Sequence, residues 1–442
     1  MLGRTKPWDY GKLSISPDKR FFVNGSTSFF WLGDTAWDLM QRLSEEESRL
    51  YLDNRALKGF TVIQSVLINF KDTGGKVSNQ KFEDCDIRDI ISAKNTPYWQ
   101  HVDQVIAYAE ESGLYMALLP VWGKVLKAGY LTEENMPAYA DFLAERYKNR
   151  PNILWLLGGD IRGDLNFDLW DRFGRRLKKH DPDRLIGYHP FGRTSSSYWF
   201  NDCDWLDFHM FQSGHRRYDQ KIMNAWDEAN DSEPWYGEDN WRYLRHDRSL
   251  DPPRPVLDGE PSYEEIPQGL HDPSEPYWQS GHVRRYAYWS LLSGAAGHTY
   301  GHNSIFQFWG KGYAKEFGAR DPWQDAIHHD GSAQMGIMKK ILEDFNFQEA
   351  KPSPFLISDQ GEREAYIPVL AAEDRLLAYI YTGRSFSLKT SKRAMELYWI
   401  NPENGVCSYA GQYAAQDSLR LRPPQKKSAE KDYLLYAVSC RN

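Results

Sequence analysis

The chain has 442 residues, a formal net charge of −7, 15% aromatic residues and 4 cysteines. That length predicts one large domain with a small second one. The mild acidity and the lack of a basic cluster exclude a nucleic-acid partner. No apolar run approaches the ~18 residues of a membrane-spanning helix. Residues Met1 to Trp8 lack the apolar segment of a secretory leader, so a cytoplasmic protein and a mature exported one both fit. Cys85, Cys203, Cys407 and Cys440 show no metal-ligand spacing and no disulfide framework. A Cys407–Cys440 bridge is the one pairing left open.

Apolar strand-like runs alternate with helix-like ones up to about residue 345, the order of a parallel α/β fold. The first strand is read at Phe29–Asp34. Ser44 followed by Glu47 forms a capping box that opens a helix to Lys58, and Gly59 stops it. A second strand is read at Phe60–Val66. A helix over Pro97–Ser112 then leads to a third strand at Leu114–Val121. A helix at Asn135–Lys148 precedes a fourth strand at Ile153–Leu157, and one at Asn166–His180 precedes a fifth at Leu185–His189. The sixth strand is read at Leu206–Phe211 with a helix at Arg217–Asn230. The seventh is read at Val256–Gly259 with a helix at Trp278–Ser293, and the eighth at Gly297–Gly301. A last helix over Gln334–Asn346 closes the series.

Eight such units predict a (β/α)8 barrel over residues 1–350. No strand–helix junction carries the glycine patterns of a dinucleotide or P-loop site, so no cofactor is expected. From Pro352 the pattern changes to short β runs at Glu364–Val369, Leu376–Tyr381, Ala394–Ile400 and Tyr433–Val438. Turns such as Asn401–Gly405 separate them, which predicts a small antiparallel β-sandwich over 351–442.

In such a barrel, chemistry gathers at the C-terminal strand ends. Those ends offer Asp34, Gln64, Trp122, Asp160, His189, His209, Glu260 and His302. Two of the acids stand out. Asn152 to Asp160 is an apolar run ending in Gly-Gly-Asp, and Pro255 to Glu260 repeats the design on the seventh strand. A pair of carboxylates placed this way is what glycoside hydrolysis requires, one acting as acid and one as base or nucleophile. A strand-four acid ordinarily protonates the leaving group and a strand-seven acid attacks. Asp160 is therefore the expected general acid/base and Glu260 the expected nucleophile.

Asp34 reads equally as a hydroxyl-binding group and as a loop-bracing acid. His189, His209 and His302 read as neutral hydroxyl-binding groups. No H-x-H or H-E-x-x-H occurs and no metal is expected. The 17 tryptophans and 27 tyrosines exceed the needs of a core, and Trp37, Trp122, Trp241 and Trp309 fall in or near the top loops, where rings stack on sugars. Gln64 and Tyr300 complete the expected binding set.

Phe22-Val23-Asn24-Gly25 with Phe30 to Trp37, and Tyr51 to Gln64, resemble the apiosidase-like catalytic family of bacterial glycoside hydrolases. Trp155 to Asp160 and Tyr300-Gly301-His302-Asn303 extend the resemblance. The tail, through Tyr398-Trp399-Ile400-Asn401-Pro402, is similar to the β-sandwich that follows this barrel, a module that carries a collagen-binding label. The resemblance implies a barrel hydrolase acting on pectin side chains, with a characterised activity on the bond between apiose and galacturonic acid. It also places the catalytic pair at Asp160 and Glu260. Related barrel glycosidases usually end strand four in Asn-Glu, whereas Gly159-Asp160 stands here and the shorter Asp reaches less far. A non-catalytic carbohydrate-binding barrel would explain the aromatics but leaves the two acids without a purpose. Oligomeric state, exact sugar and stereochemistry stay open at the level of sequence.

Overall fold

The computed structural model describes residues 5–69, 87–92, 96–220, 236–310, 312–390, 394–426 and 430–440. Its centre is an eight-stranded parallel sheet curled into a nearly closed barrel. The strands are β1 (Trp31–Thr35), β2 (Val62–Ile68), β3 (Tyr115–Val121), β4 (Ile153–Gly158), β5 (Ile186–His189), β6 (His209–Phe211), β7 (Val256–Asp258) and β8 (Gly297–Tyr300). They pair in the order β5-β4-β3-β2-β1-β8-β7-β6. Asp207 bridges the remaining seam: its amide donates to Ile186 O at 2.9 Å, and its carboxylate accepts from Ile186 N at 2.7 Å.

Side chains alternate across each strand, as a pleated backbone requires. Trp31, Gln64, Leu156, Met210 and Thr299 fill the inside. Phe208 packs where a side chain on Gly187 would stand, and Met210 packs likewise over Gly259. Three short antiparallel strands, Leu13–Ile15, Phe22–Asn24 and Thr27–Phe29, cover the N-terminal mouth. Phe22 plugs it, its ring 5.4 Å from both Trp31 and Phe208. These three strands are too short for sequence patterning to reveal, and the first barrel strand accordingly begins at Trp31.

The outer helices are α1 (Glu45–Leu57), α2 (Thr96–Glu111), α3 (Met136–Tyr147), α4 (Phe167–His180), α5 (Asn240–Asp247), α6 (Ser280–Leu292) and α7 (Asp330–Phe345). The capping box of α1 is present: Glu47 N donates to Ser44 Oγ at 3.2 Å and Ser44 N to the Glu47 carboxylate at 3.0 Å. After β5 only the single turn Ser197–Phe200 is helical. The helix expected over Arg217–Asn230 lies in part outside the described residues. Residues 217–220 are not helical, and α5 stands after β6.

The C-terminal domain is an antiparallel six-stranded sheet covered by a two-stranded one. Its strands are β9 (Lys351–Pro352), β10 (Val369–Ala371), β11 (Arg375–Ile380), β12 (Phe386–Lys389), β13 (Met395–Ile400), β14 (Cys407–Tyr413), β15 (Ser418–Leu421) and β16 (Tyr433–Ser439). The large sheet has the order β9-β10-β11-β16-β13-β14, and β12 pairs with β15. Both faces of β11 are buried. Leu376, Ala378 and Ile380 pack with Phe386 and Leu421 of the small sheet, whereas Leu377 and Tyr379 join the barrel's core. The expected strand at Glu364–Val369 is instead a 3-10 turn at Arg363–Ala365 followed by β10. Cys203, Cys407 and Cys440 are free thiols, and Cys85 lies outside the described residues.

Candidate active site

At the C-terminal mouth a cleft with ≈ 890 Å³ of open space is lined by Trp37, Trp122, Asp160, Arg193, His215 and Glu260, among others. Asp160 reaches it because β4 ends in three successive residues of positive φ: Gly158 at 90°, Gly159 at 102° and Asp160 at 55°. A side chain on Gly158 would meet His189 O at 2.4 Å, so glycine is required there on two counts. Asp160 N then donates to His189 Nδ1 at 3.4 Å, and its carboxyl stays partly exposed to the cleft.

Glu260 follows β7 by two residues and is buried. Its Oε1 lies 3.0 Å from His215 Nε2, a hydrogen bond. Its Oε2 lies 3.1 Å from His189 Nε2, out of line for a second hydrogen bond. His189 thus stands between the backbone of one acid and the carboxylate of the other. Trp37 holds that imidazole edge-on at 5.0 Å, and Trp122 packs on Trp37 at 5.1 Å.

The two carboxyls are driven apart in pKa. Burial and then the charge of Glu260 raise Asp160 well above the usual carboxylate range, against the opposing pull of His189, His215 and Lys127. Burial alone would also raise Glu260, but the His189 and His215 imidazoles overcome it and hold the carboxyl well below that range. Environments that separate two titratable groups in this way mark an acid and a base. Arg193 and Arg216 add positive charge to the cleft wall. Burial and then the neighbouring Arg193 lower Arg216 to about 9.

Of the expected set, Asp160, Glu260, His189, Trp37 and Trp122 come together. Five others do not, through the direction their side chains take or their depth below the cleft. Asp34 points outward from β1 into an ion pair with Arg55 of α1, and Tyr51 donates to it at 2.6 Å. There it braces the barrel, outside the cleft. Gln64 points inward below the cleft, donating to Gly259 O at 3.0 Å and accepting from Thr299 Oγ1 at 3.3 Å. It therefore positions the end of β7. His209 is the first residue of β6 and is fully buried away from the cleft, and burial lowers its pKa to about 4.

Tyr300 faces outward and donates to Glu264. His302 caps the turn after β8, its Nδ1 accepting from Ser304 N at 3.1 Å. Trp241 stacks at 4.3 Å on Tyr366 of the C-terminal domain, and Trp309 does not line the cleft. Sequence reasoning missed His215, Arg193, Arg216 and Tyr263. The signal for His215 and Arg216 was their place just after the end of the sixth strand. Among the described residues no three His, Cys, Asp or Glu converge as a metal site, and no helix is long and apolar enough to cross a membrane.

The family model "Apiosidase-like, catalytic domain" matches residues 16–349, and "Putative collagen-binding domain of a collagenase" matches residues 352–437. A solved structure described as a glycoside hydrolase is 37% identical, with 98% of each chain covered and a TM-score of 0.90. A glycoside hydrolase family 5 structure from Bacteroides vulgatus ATCC 8482 is 36% identical, covering 98% of this chain and 95% of its own, with a TM-score of 0.89. A third structure, described as that of a glycoside hydrolase from the same strain, shares the fold at 12% identity and a TM-score of 0.66, with 99% and 84% covered. No curated protein matches the chain. With the family model spanning well over half of the sequence and a paired-acid cleft at the barrel mouth, the chain belongs to the apiosidase-like family of glycoside hydrolases.

Proposed function

We propose that this glycoside hydrolase cleaves a glycosidic bond in an acidic, apiose-bearing pectin-type polysaccharide, with Asp160 as general acid/base and Glu260 as nucleophile. The observation that carries the assignment is the placement of both carboxyls in one cleft, with the imidazoles of His215 and His189 3.0 and 3.1 Å from the Glu260 carboxylate. Raised to about 6, Asp160 keeps a proton for the leaving oxygen in mildly acidic solution, where Glu260 is already ionised to attack the anomeric carbon. In the first step the glycosidic bond breaks, the leaving sugar takes the Asp160 proton and the glycosyl group becomes esterified to Glu260. In the second, ionised Asp160 takes a proton from water as it attacks, releasing the sugar and restoring both groups. This role for Glu260 predicts retention at the anomeric carbon.

Two features support the acidic substrate. The family model is apiosidase-like, and Arg193 and Arg216 line the cleft, where a guanidinium can grip a galacturonate carboxylate through two hydrogen bonds. The test is a screen against defined pectin oligosaccharides with products read by mass. Release of apiose from galacturonate-containing fragments is expected. Cleavage confined to neutral oligosaccharides would overturn the substrate assignment.

A further inference from the structure

The group that holds Glu260 is itself held from a distance. His215 and Arg216 lie on the irregular segment from Gln212 to Gln220 that follows β6, where Gly269 N and Trp278 Nε1 donate to His215 O at 2.7 and 3.0 Å and Gly214 N donates to Glu260 O at 3.0 Å. At its start, Ser213 Oγ donates to Asp258 at 2.5 Å, and Asn240 of α5 donates to the same carboxylate at 3.1 Å. At its other end Tyr218 is fixed by three groups. Its amide donates to Glu238 at 3.2 Å, its hydroxyl donates to Asp239, and the guanidinium of Arg363 lies 4.9 Å from its ring centre. Arg363 belongs to the C-terminal domain.

A second route leads to the same place. Glu238 is paired with the buried Arg285 of α6, whose guanidinium lies 4.9 Å from the ring of Tyr381, again in the C-terminal domain. Beside these, Trp241 stacks on Tyr366 and Tyr288 on Tyr379. Arg284 of α6 donates through Nε and Nη2 to the Asp432 carboxylate, at 2.9 and 3.0 Å.

We propose that the C-terminal domain is a positioning part of the catalytic cleft: Arg363 on Tyr218, and Tyr381 on the Arg285–Glu238 pair, fix the segment that presents His215 to Glu260 and Arg216 to substrate. The inference rests on the reading of Glu260 and the cleft given above. It gives the domain a role in the reaction that does not require a partner of its own. The barrel-facing side of its sheet is already occupied by α6 and α7.

Arg363 is exposed, so replacing it tests the coupling without opening the core. Full-length Arg363→Ala, Arg363→Lys, Asp160→Asn and Glu260→Gln are assayed on an apiose-bearing galacturonan oligosaccharide, and amide exchange is measured over residues 212–220. Loss of an exposed cation–π contact corresponds to about a two- to five-fold effect. Arg363→Ala is expected to raise KM by about that factor with a smaller change in kcat. It should also shift the acid limb of the kcat/KM profile upward and speed exchange in 212–220 at an unchanged melting temperature. Arg363→Lys, which keeps the cation, should restore most of each. If Arg363→Ala keeps wild-type KM, acid limb and exchange while Glu260→Gln is inactive, the positioning role is wrong and the catalytic reading stands. If Asp160→Asn and Glu260→Gln remain active, the catalytic reading fails, and the exchange rates alone then decide whether the domain holds the segment.

Discussion

Asp160 and Glu260 share a neighbour in His189, yet only Glu260 has imidazoles against its carboxylate. In the proposed mechanism that asymmetry makes one the acid and the other the nucleophile, and it sets the pH dependence. Protonating Glu260 ends activity on the acid side, and deprotonating Asp160 ends it on the basic side. Because Glu260 is lowered and Asp160 raised, the limbs fall on either side of the ordinary carboxylate range. His215→Gln removes a hydrogen bond to the charged form of Glu260, so its pKa should rise and the acid limb move to higher pH. A pH–kcat/KM profile with an unmoved acid limb would count against the role given to His215. Asp160→Asn with a natural leaving group should lower turnover about 10²–10⁴-fold, the usual contribution of general acid catalysis, as measured by initial rates. Activity within tenfold of wild type would remove Asp160 from the mechanism.

At the scale of elements, the turn that ends β4 is the most constrained piece. Gly158→Ala would combine a positive φ of 90° with a contact at 2.4 Å to His189 O. A cost of about 1–3 kcal/mol in urea unfolding is expected, together with a drop in kcat as Asp160 is displaced. The Asp34–Arg55 pair between β1 and α1 is fully buried. Arg55→Met leaves Asp34 uncompensated and should cost about 3–5 kcal/mol, again by urea unfolding, while kcat of the folded enzyme holds.

These two places also show what could be read from the chain. Apolar runs ending in Gly-Gly-Asp and Asp-Gly-Glu located β4, β7 and their acids, because parallel strands buried on both faces read as continuous apolar segments. Which way a residue points was harder, since one position flips the side chain to the other face. Asp34 falls on the outward face of β1 between Gly33 and Thr35. His209 stands between Phe208 and Met210, which fill the inner face, so its side chain takes the outer one. His215 was invisible for the opposite reason: it sits in an irregular segment bonded to Asp258, Glu238, Gly269 and Trp278, none of which is local in sequence.

At the scale of the whole molecule, barrel and sheet domain are joined by a buried ion pair, stacked rings and a shared core. One cooperative calorimetric transition is therefore expected for the full chain, and two well-separated transitions would contradict that joining. Asp432→Ala leaves Arg284 buried beside the more distant Glu430 and should cost about 3–5 kcal/mol. The midpoint of the single transition should fall as a unit. In the proposed mechanism Glu260 of the barrel-mouth cleft is the attacking group. The central claim is tested by peptide mass spectrometry on the Asp160→Asn enzyme, quenched during reaction with an activated aryl apioside whose good leaving group needs no acid. The account predicts one apiosyl group on the peptide that contains Glu260. Release of apiose with no adduct, or an adduct on another residue, would contradict it.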